Sequence, residues 1–259
     1  MPMTVDIEIG ARRFVHGSIP YEFTYKQILD KCLESKPVRR LKRYMELVEQ
    51  GTFPNALFND ARVPRASKMR IRGLEKGQKS FLQQYMVDTG LVTRLGPGTS
   101  PLPAMVQAVF KNFKEMAIGK NPAHEPVLKS LLLRHPDSVA IELPVWRVAA
   151  RRNECLTGHV DLLQVGSLDD GRVEIRVMDY KPEGENKFIL FLPQIVLYAT
   201  LLREKIDPDG EAMLSCIIFD KKVAWQFSHD ILHRVDGKIA RYNVARDWNP
   251  FLGKAGTGM

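Results

Sequence analysis

The chain has 259 residues, of which 44% are hydrophobic and 26% charged, a composition typical of globular proteins that excludes disordered and fibrous classes. The formal net charge of +8 favours polyanionic partners without identifying one. No run reaches the ~18 apolar residues of a membrane-spanning helix, and the N-terminus lacks the features of a signal peptide. We therefore expect a cytoplasmic protein without a membrane partner, whose three widely spaced cysteines stay reduced.

The first hundred residues are predicted to form a mainly helical N-terminal region. A short strand is expected at 4–9, because polar and apolar residues alternate there. Helical periodicity and turn residues predict helices at 24–33, 37–51 and 73–90. Residues 1–80 contain 16 Lys and Arg against 9 Asp and Glu, so this region carries most of the excess positive charge.

A change in composition follows at residues 94–103, which include three prolines and two glycines. Such a segment is typical of a boundary between structural units. We therefore divide the chain into a basic N-terminal region, 1–100, and a second domain, 101–259.

Cations are concentrated on the predicted helix 37–51, at Arg39, Arg40, Lys42 and Arg43. Four cations within five positions cannot share one narrow stripe of a helix, so some must face solvent. Two interpretations stay open: a nucleic-acid-binding arm that grips phosphates, or a helical scaffold with a solvated, mixed-charge face. Five further cations occur in a less regular context, at Arg62, Arg65, Lys68, Arg70 and Arg72.

The second domain is predicted to be α/β, with a central mixed sheet flanked by helices. Two helices are expected first, at 105–119 and 122–133. Three strands joined by short turns then form an antiparallel meander, at 138–150, 156–166 and 171–181. A helix, two strands and a final helix complete the order, at 191–205, 211–220, 222–229 and 230–242.

Two of these strands carry residues suited to phosphodiester hydrolysis. The two-residue period of a strand puts His159 and Asp161 on one face of the first strand, and Asp179 and Lys181 on one face of the next. If the strands are neighbours, two carboxylates and an ammonium group converge. Carboxylate oxygens are suitable ligands for Mg²⁺ or Mn²⁺, and a lysine can orient the attacking water.

The following helix adds Gln194 and Tyr198, which lie one turn apart on the same face. The amide of Gln194 could hold a phosphate oxygen or the lysine, and Tyr198 could contact a nucleic-acid backbone. Both residue types are also ordinary on an amphipathic helix, so this interpretation stays open.

The succession of Glu142, GHVDLL (158–163), VMDYK (177–181) and QIVLY (194–198) resembles the PD-(D/E)XK nuclease superfamily. It is most similar to the RecB-like branch, in which GxxD, DYK and QxxxY motifs occur in this order. The resemblance covers about residues 104–220. It implies a restriction-endonuclease-like core and makes 101–259 a catalytic domain that cleaves DNA or, less often, RNA with a metal ion.

The resemblance also implies roles for individual residues. Asp161 and Asp179 match the metal ligands, with the backbone carbonyl of Tyr180 as a further ligand, and Lys181 matches the catalytic lysine. Glu142 matches an acidic position that assists the metal or the lysine, although a glutamate facing solvent is the alternative.

A histidine before the sheet is a further metal ligand in the RecB-like branch, and His124 is the candidate. Pro122 and Pro126 flank it, so it must lie in the first turn of its helix. Glu125 is the competing choice. His159 shares the face of Asp161, but its position within GxxD varies in the family, so a hydrogen-bonding or surface role is favoured.

These features predict a Mg²⁺- or Mn²⁺-dependent deoxyribonuclease, acting as an exonuclease or end-processing enzyme in DNA repair, recombination or replication. No helicase or ATP-binding motif is present, so any unwinding of DNA must come from a partner, such as a helicase or another repair or replication protein, and oligomerisation stays open. The alternatives are a non-catalytic nucleic-acid-binding or assembly module on a nuclease fold, and a small-molecule enzyme, for which no motif is found. Exonuclease and endonuclease activity, and one or two metal ions, are not separated by these residues.

Overall fold

The computed structural model describes residues 9–26, 34–242 and 244–252. This part of the chain is an α/β structure with one eight-stranded mixed sheet and seven helices. The strands are β1 Ile9–His16, β2 Ile19–Lys26, β3 Val92–Leu95, β4 Ser138–Arg147, β5 Leu156–Ser167, β6 Val173–Tyr180, β7 Met213–Phe219 and β8 Ala224–Ser228. The helices are α1 Lys36–Glu49, α2 Asn55–Asn59, α3 Lys76–Asp88, α4 Pro101–Glu115, α5 His124–Arg134, α6 Gly184–Ile206 and α7 Ile231–Ile239.

The strands lie in the order β1-β2-β4-β5-β6-β7-β8-β3. Strands β4, β5 and β6 form the antiparallel meander that the short turns predict. Strands β6 and β7 are parallel, because the 23-residue helix α6 carries the chain back to the other end of the sheet. The mixed α/β sheet expected for the second half of the chain is therefore confirmed.

The start of the chain differs from the prediction, because it forms strands and not a helical region. Strands β1 and β2 are a hairpin whose two-residue turn contains Gly17 in a left-handed conformation, which glycine adopts without strain. The predicted helix 24–33 is wrong at its first three residues, which belong to β2, and its remainder lies outside the described residues. The predicted strand 4–9 also lies outside them except for Ile9.

The hairpin joins the main sheet, where Thr24 and Tyr25 of β2 pair with β4. At the opposite edge, β3 pairs with β8, so the segment 94–103 begins inside a strand. The two helices predicted within 37–51 and 73–90 are present as α1 and α3. Residues before position 100 thus supply three strands of the same sheet that contains β4 to β8.

Helices cover both faces of the sheet and bury two apolar clusters. Helices α1, α3, α6 and α7 pack on one face, against side chains such as Leu163 and Val177. Helices α4 and α5 pack on the other face, against Leu162 and Met178. Consecutive residues of a strand alternate between the clusters, as the two-residue period requires.

Within the described residues, no helix is both long and apolar enough to cross a membrane. Cys155 and Cys216 are buried and carry free thiols, in agreement with the expectation of reduced cysteines. Cys32 lies outside the described residues.

Candidate active site

Three carboxylates lie side by side in one row across strands β4, β5 and β6. Ile141, Leu162 and Met178 are directly opposite one another in the sheet. Because neighbouring strands run antiparallel, the next residue on each strand toward the same end is Glu142, Asp161 or Asp179, and these form the next row.

Strands β5 and β6 separate at this row, while β4 and β5 stay paired beyond it. The pairing of β5 with β6 ends at Leu162 and Met178, one residue before the two aspartates. Glu142 has a φ of 53°, a left-handed conformation that is strained for a residue with a side chain. Glu142 and Asp161 line a cleft at this opening, whereas the side chain of Asp179 is buried.

Asp161 accepts a hydrogen bond across this opening. The backbone N–H of Tyr180 donates to its Oδ2 at 3.1 Å, and His124 Nδ1 is 3.6 Å from the same oxygen. Burial acts to raise the pKa of Asp161, but the His124 imidazole, the Lys181 charge and the Tyr180 N–H together hold that pKa below its ordinary value. Asp161 is therefore an ionised carboxylate at neutral pH.

Asp179 is completely buried and is held by two donors. Lys181 Nζ is 3.0 Å from its Oδ1 and 2.8 Å from its Oδ2, and Gln194 Nε2 donates to Oδ1 at 3.0 Å. Burial and the neighbouring charge of Asp161 raise the pKa of Asp179 to about 7. Without a further positive charge, the two aspartates resist being ionised together.

Lys181 stays protonated in this setting. Burial acts to lower its pKa, but the charges of Asp179 and Asp161 outweigh burial and raise the pKa of Lys181 above its ordinary value. Its Nζ also lies 5.1 Å from the centroid of the Phe191 ring. The lysine is therefore a fixed cation beside the carboxylates.

Glu142 completes the acidic row. Burial and the charges of Asp161 and Asp179 raise the pKa of Glu142 to about 8. Its side chain lines the cleft and does not face open solvent. This position is consistent with the predicted role of Glu142 in assisting the metal or the lysine. With a pKa of about 8, the Glu142 carboxyl group is mostly protonated at neutral pH.

The helix residues of the QxxxY motif meet the same carboxylates. Gln194 Nε2 donates to Tyr198 Oη at 3.1 Å in addition to its bond to Asp179. Gln194 Oε1 is buried and has no hydrogen-bond partner among the described residues. Gln194 therefore positions Asp179 and keeps one acceptor free.

His124 and Glu125 begin helix α5, as the flanking prolines predict. Both residues line the cleft, but their side chains have different partners. The Glu125 carboxylate is 2.7 Å from Lys129 on its own helix, whereas His124 faces Asp161. His124 thus lies beside Asp161, whereas the Glu125 carboxylate is paired with Lys129 and acts on Glu142 through its charge.

His159 lines the same cleft as Asp161, but its hydrogen bond goes to the β1–β2 hairpin. Its Nε2 is 2.8 Å from His16 Nδ1 on β1, and its ring stacks on Tyr21 with the centroids 4.0 Å apart. Burial lowers the pKa of His159 well below its ordinary value. The residue joins the hairpin to β5 as a neutral hydrogen-bonding side chain.

Glu142 and Asp161 line a cleft of about 830 Å³. One wall is the β1–β2 hairpin, including Arg13, Val15 and Tyr21, and the opposite side includes His124 and Lys181. The sequence patterns did not lead us to predict the β1–β2 hairpin. Two features of the sequence indicate it: the Gly17-Ser18 pair, which favours a two-residue hairpin turn, and the β-forming residues on either side of this pair.

The basic cluster of helix α1 lies away from this cleft. Arg40 is 3.3 Å from Asp209, which follows the C-terminal end of α6. That end is roughly 18 Å along the helix axis from Gln194, at 1.5 Å per residue. Arg39, Arg40, Lys42 and Arg43 are absent from the cleft lining, so the structure does not bring them together with the carboxylates.

The residues of the row are chemically suited to Mg²⁺ or Mn²⁺. In the described part of the chain, no three His, Cys, Asp or Glu side chains form a ready-made metal cage. Mg²⁺ does not require one, because it binds through one or two carboxylates and keeps several water ligands. Two aspartates that resist joint ionisation, with His124 beside Asp161, fit this mode of binding.

No protein-family model matches the chain, and no curated protein is significantly similar to it in sequence.

Proposed function

We propose that this protein is a Mg²⁺- or Mn²⁺-dependent nuclease that hydrolyses phosphodiester bonds of DNA. The observation that carries the proposal is the row of Glu142, Asp161 and Asp179, with Lys181 within 3.0 Å of the last carboxylate. Carboxylates beside a fixed cation are the donor set that metal-dependent phosphodiester hydrolysis requires. The order of the GxxD, DYK and QxxxY motifs supports assignment to the PD-(D/E)XK nucleases.

Asp161 and Asp179 would hold the metal ion, with the Tyr180 carbonyl and His124 as further ligands. When bound, the ion would polarise the phosphate and neutralise the charge that develops on it. Asp179 also anchors Lys181. This contact would orient the ammonium group of Lys181 toward a phosphate oxygen or the attacking water.

Gln194 and Glu142 have supporting roles in this proposal. Gln194 fixes the Asp179 carboxylate by its hydrogen bond to Oδ1, and Tyr198 holds the Gln194 amide in place. Glu142 has a pKa of about 8, so it can accept or release a proton near neutral pH.

The resemblance to the QxxxY branch favours an exonuclease or end-processing enzyme, acting in DNA repair, recombination or replication. Such an enzyme would act with a helicase or another protein that supplies the DNA end. The charge of +8 is consistent with a nucleic-acid substrate.

Cleavage assays test this proposal directly. End-labelled and circular DNA, single- and double-stranded, are incubated in Mg²⁺, Mn²⁺ or EDTA with the wild type, Asp179→Ala and Lys181→Ala. Asp170→Asn, in the exposed β5–β6 turn, is the matched control. We expect cleavage that requires the metal, is lost in both site variants and is retained in the control.

Circular substrates separate the two modes of cleavage, because an exonuclease leaves closed circles intact. If DNA is bound and none of the substrates is cut under any metal condition, the nuclease proposal is wrong. A nucleic-acid-binding or assembly module then becomes the better explanation of the fold.

A further inference from the structure

A short segment between α2 and α3 carries four cations. Arg65, Lys68, Arg70 and Arg72, here named the basic strip, have half-exposed or exposed side chains. The intervening residues Ala66, Met69 and Ile71 are buried. In an extended segment alternate residues face opposite sides, so the apolar residues anchor the strip while its last three cations face outward.

Hydrogen bonds fix this segment to the elements that carry the carboxylates. The Thr157 N–H of β5 donates to the Pro64 carbonyl at 3.1 Å, four residues before Asp161 on the same strand. The Ile71 N–H donates to the Leu190 carbonyl of α6 at 3.1 Å, one turn before Gln194. The basic strip is thus held beside the candidate active site by the backbone.

Arg70 and Lys181 contact the same aromatic ring. The Arg70 guanidinium lies 4.8 Å from the centroid of the Phe191 ring, and Lys181 Nζ lies 5.1 Å from the same centroid. Two cations therefore flank one aromatic ring at the N-terminal part of α6. Ser67, within the same segment, lines the cleft.

Among the described residues, the arginines of the strip have partners other than carboxylates. Arg65 and Arg72 donate to the backbone carbonyls of Phe58 and Lys68, and Arg70 contacts Phe191. No strip cation forms an ion pair with an acidic side chain in the part of the chain that the structure describes, although Asp247 lines the adjoining groove. By contrast, Arg62 just before the strip is paired with Asp60 at 2.7 Å.

We propose that the basic strip is the phosphate-binding surface of this site, with Arg70 holding a backbone phosphate next to the one that faces Lys181. The inference rests on the proposed nuclease function and names the surface that grips its substrate. It assigns this role to the strip in place of the α1 cluster, which lies at the far end of α6. Phosphate contacts of this kind bind all sequences alike and depend strongly on salt.

The test is the salt dependence of binding to a fluorescent single-stranded oligonucleotide, measured by anisotropy in EDTA so that no cleavage occurs. A Lys68→Ala/Arg70→Ala/Arg72→Ala variant is compared with Arg39→Ala/Lys42→Ala/Arg43→Ala, which removes the same charge from α1. Each lost phosphate contact lowers the slope of log K against log salt by about 0.7 for a single strand. We expect the strip variant to lose about 2 units of slope and the α1 variant to keep the wild-type slope.

Single substitutions keep the test valid if the triple variant does not fold. Arg70→Ala should weaken binding about tenfold at low salt, the loss of one charged contact. Arg70→Lys should retain the slope, because the charge remains. Arg134→Ala, an exposed arginine at the opposite end of α5 from His124, should bind like the wild type.

The outcomes distinguish failure of the basic-strip proposal from failure of the nuclease proposal. The proposal for the basic strip is wrong if the strip variant keeps the wild-type slope, or if the α1 variant loses more slope than the strip variant. It is also wrong if the wild type does not bind nucleic acid. If the strip variants lose slope as expected but the wild type cuts no DNA in Mg²⁺ or Mn²⁺, the strip stands as a binding surface and the nuclease proposal fails.

Discussion

Tyr198 packs against Gly158 so closely that a Cβ atom at position 158 would lie 2.4 Å from Tyr198 Cε1. The glycine of the GxxD strand and the tyrosine of the QxxxY helix are therefore in direct contact. This contact determines how near α6 can approach β5. It also supports the hydrogen bond from Gln194 to the Tyr198 hydroxyl, and through Gln194 the position of Asp179.

Replacing Gly158 by alanine should displace the Tyr198 ring, because the new methyl group has no space. We expect a loss of about 1–3 kcal/mol in the free energy of unfolding, typical of overpacking, together with a lower rate of DNA cleavage. Urea denaturation and the end-labelled assay measure the two effects. Gly77→Ala is the control, since nothing lies within 4 Å of a Cβ there; a Gly158→Ala protein as stable as this control would contradict the packing argument.

The pKa values of the acidic row predict how stability changes with pH in EDTA. The pKa of Asp179 is raised from 3.8 to about 7 and that of Glu142 from 4.5 to about 8. The folded protein therefore binds more protons than the unfolded chain between about pH 4 and pH 8, and these groups reduce stability as pH rises through that window. Asp179→Asn removes one of them.

The free energy of unfolding of Asp179→Asn should accordingly increase relative to the wild type on going from pH 5 to pH 8. Urea denaturation of both proteins at each pH measures the difference, and other titrating groups largely cancel in the comparison. A difference that is constant with pH would show that the pKa of Asp179 is not raised.

Mg²⁺ should stabilise the folded protein through the same row. At a Mg²⁺ concentration about 100 times its Kd, a ligand that binds only the folded state adds about 2.7 kcal/mol, or several degrees of Tm for a chain of this size. The increase should be larger at pH 8 than at pH 6, because the ion competes with protons for Asp179, whose pKa is about 7. Differential scanning fluorimetry measures both effects.

Asp161→Asn should remove most of this Mg²⁺-dependent increase in Tm, whereas Asp170→Asn in the exposed turn should retain it. An equal increase in Asp161→Asn and the wild type would place the metal ion elsewhere. The comparison does not depend on cleavage, so it tests the metal site independently of the reaction.

The β1–β2 hairpin should need the His16 side chain to stay packed against β5 and α2. This side chain is 1% exposed, pairs with His159 and stacks on Phe58 with the centroids 4.1 Å apart. His16→Ala creates a cavity and leaves a buried nitrogen of His159 unpaired, so we expect a loss of about 2–3 kcal/mol and faster proteolysis within the hairpin.

Ile19 provides the matched control, since it is directly opposite His16 in the hairpin but 49% exposed. Ile19→Ala should change the free energy of unfolding by no more than about 0.5 kcal/mol. Equal effects of the two substitutions would mean that the His16–His159 contact does not hold the wall in place.

Much of this structure follows from local patterns in the sequence. The two-residue period predicted the strands that carry Asp161 and Asp179, and the helical period placed Gln194 and Tyr198 on one face, as their hydrogen bond confirms. Flanking prolines placed His124 at the start of its helix. Such features depend on residues that are close in sequence, where backbone geometry alone decides which side chains share a face.

Other features were decided only by the tertiary structure. The N-terminal hairpin, the position of Glu142 in one row with two aspartates, and the location of Arg70 beside Phe191 all join segments that are distant in sequence. Strand register, the separation of strands at the row and the packing of the 65–72 segment on α6 are determined by burial of apolar surface and by backbone pairing across the whole sheet. A residue pattern along one helix or strand does not show which other element packs against it. The sequence by itself therefore determined the local elements and the candidate chemistry. Long-range packing decided which of those residues meet.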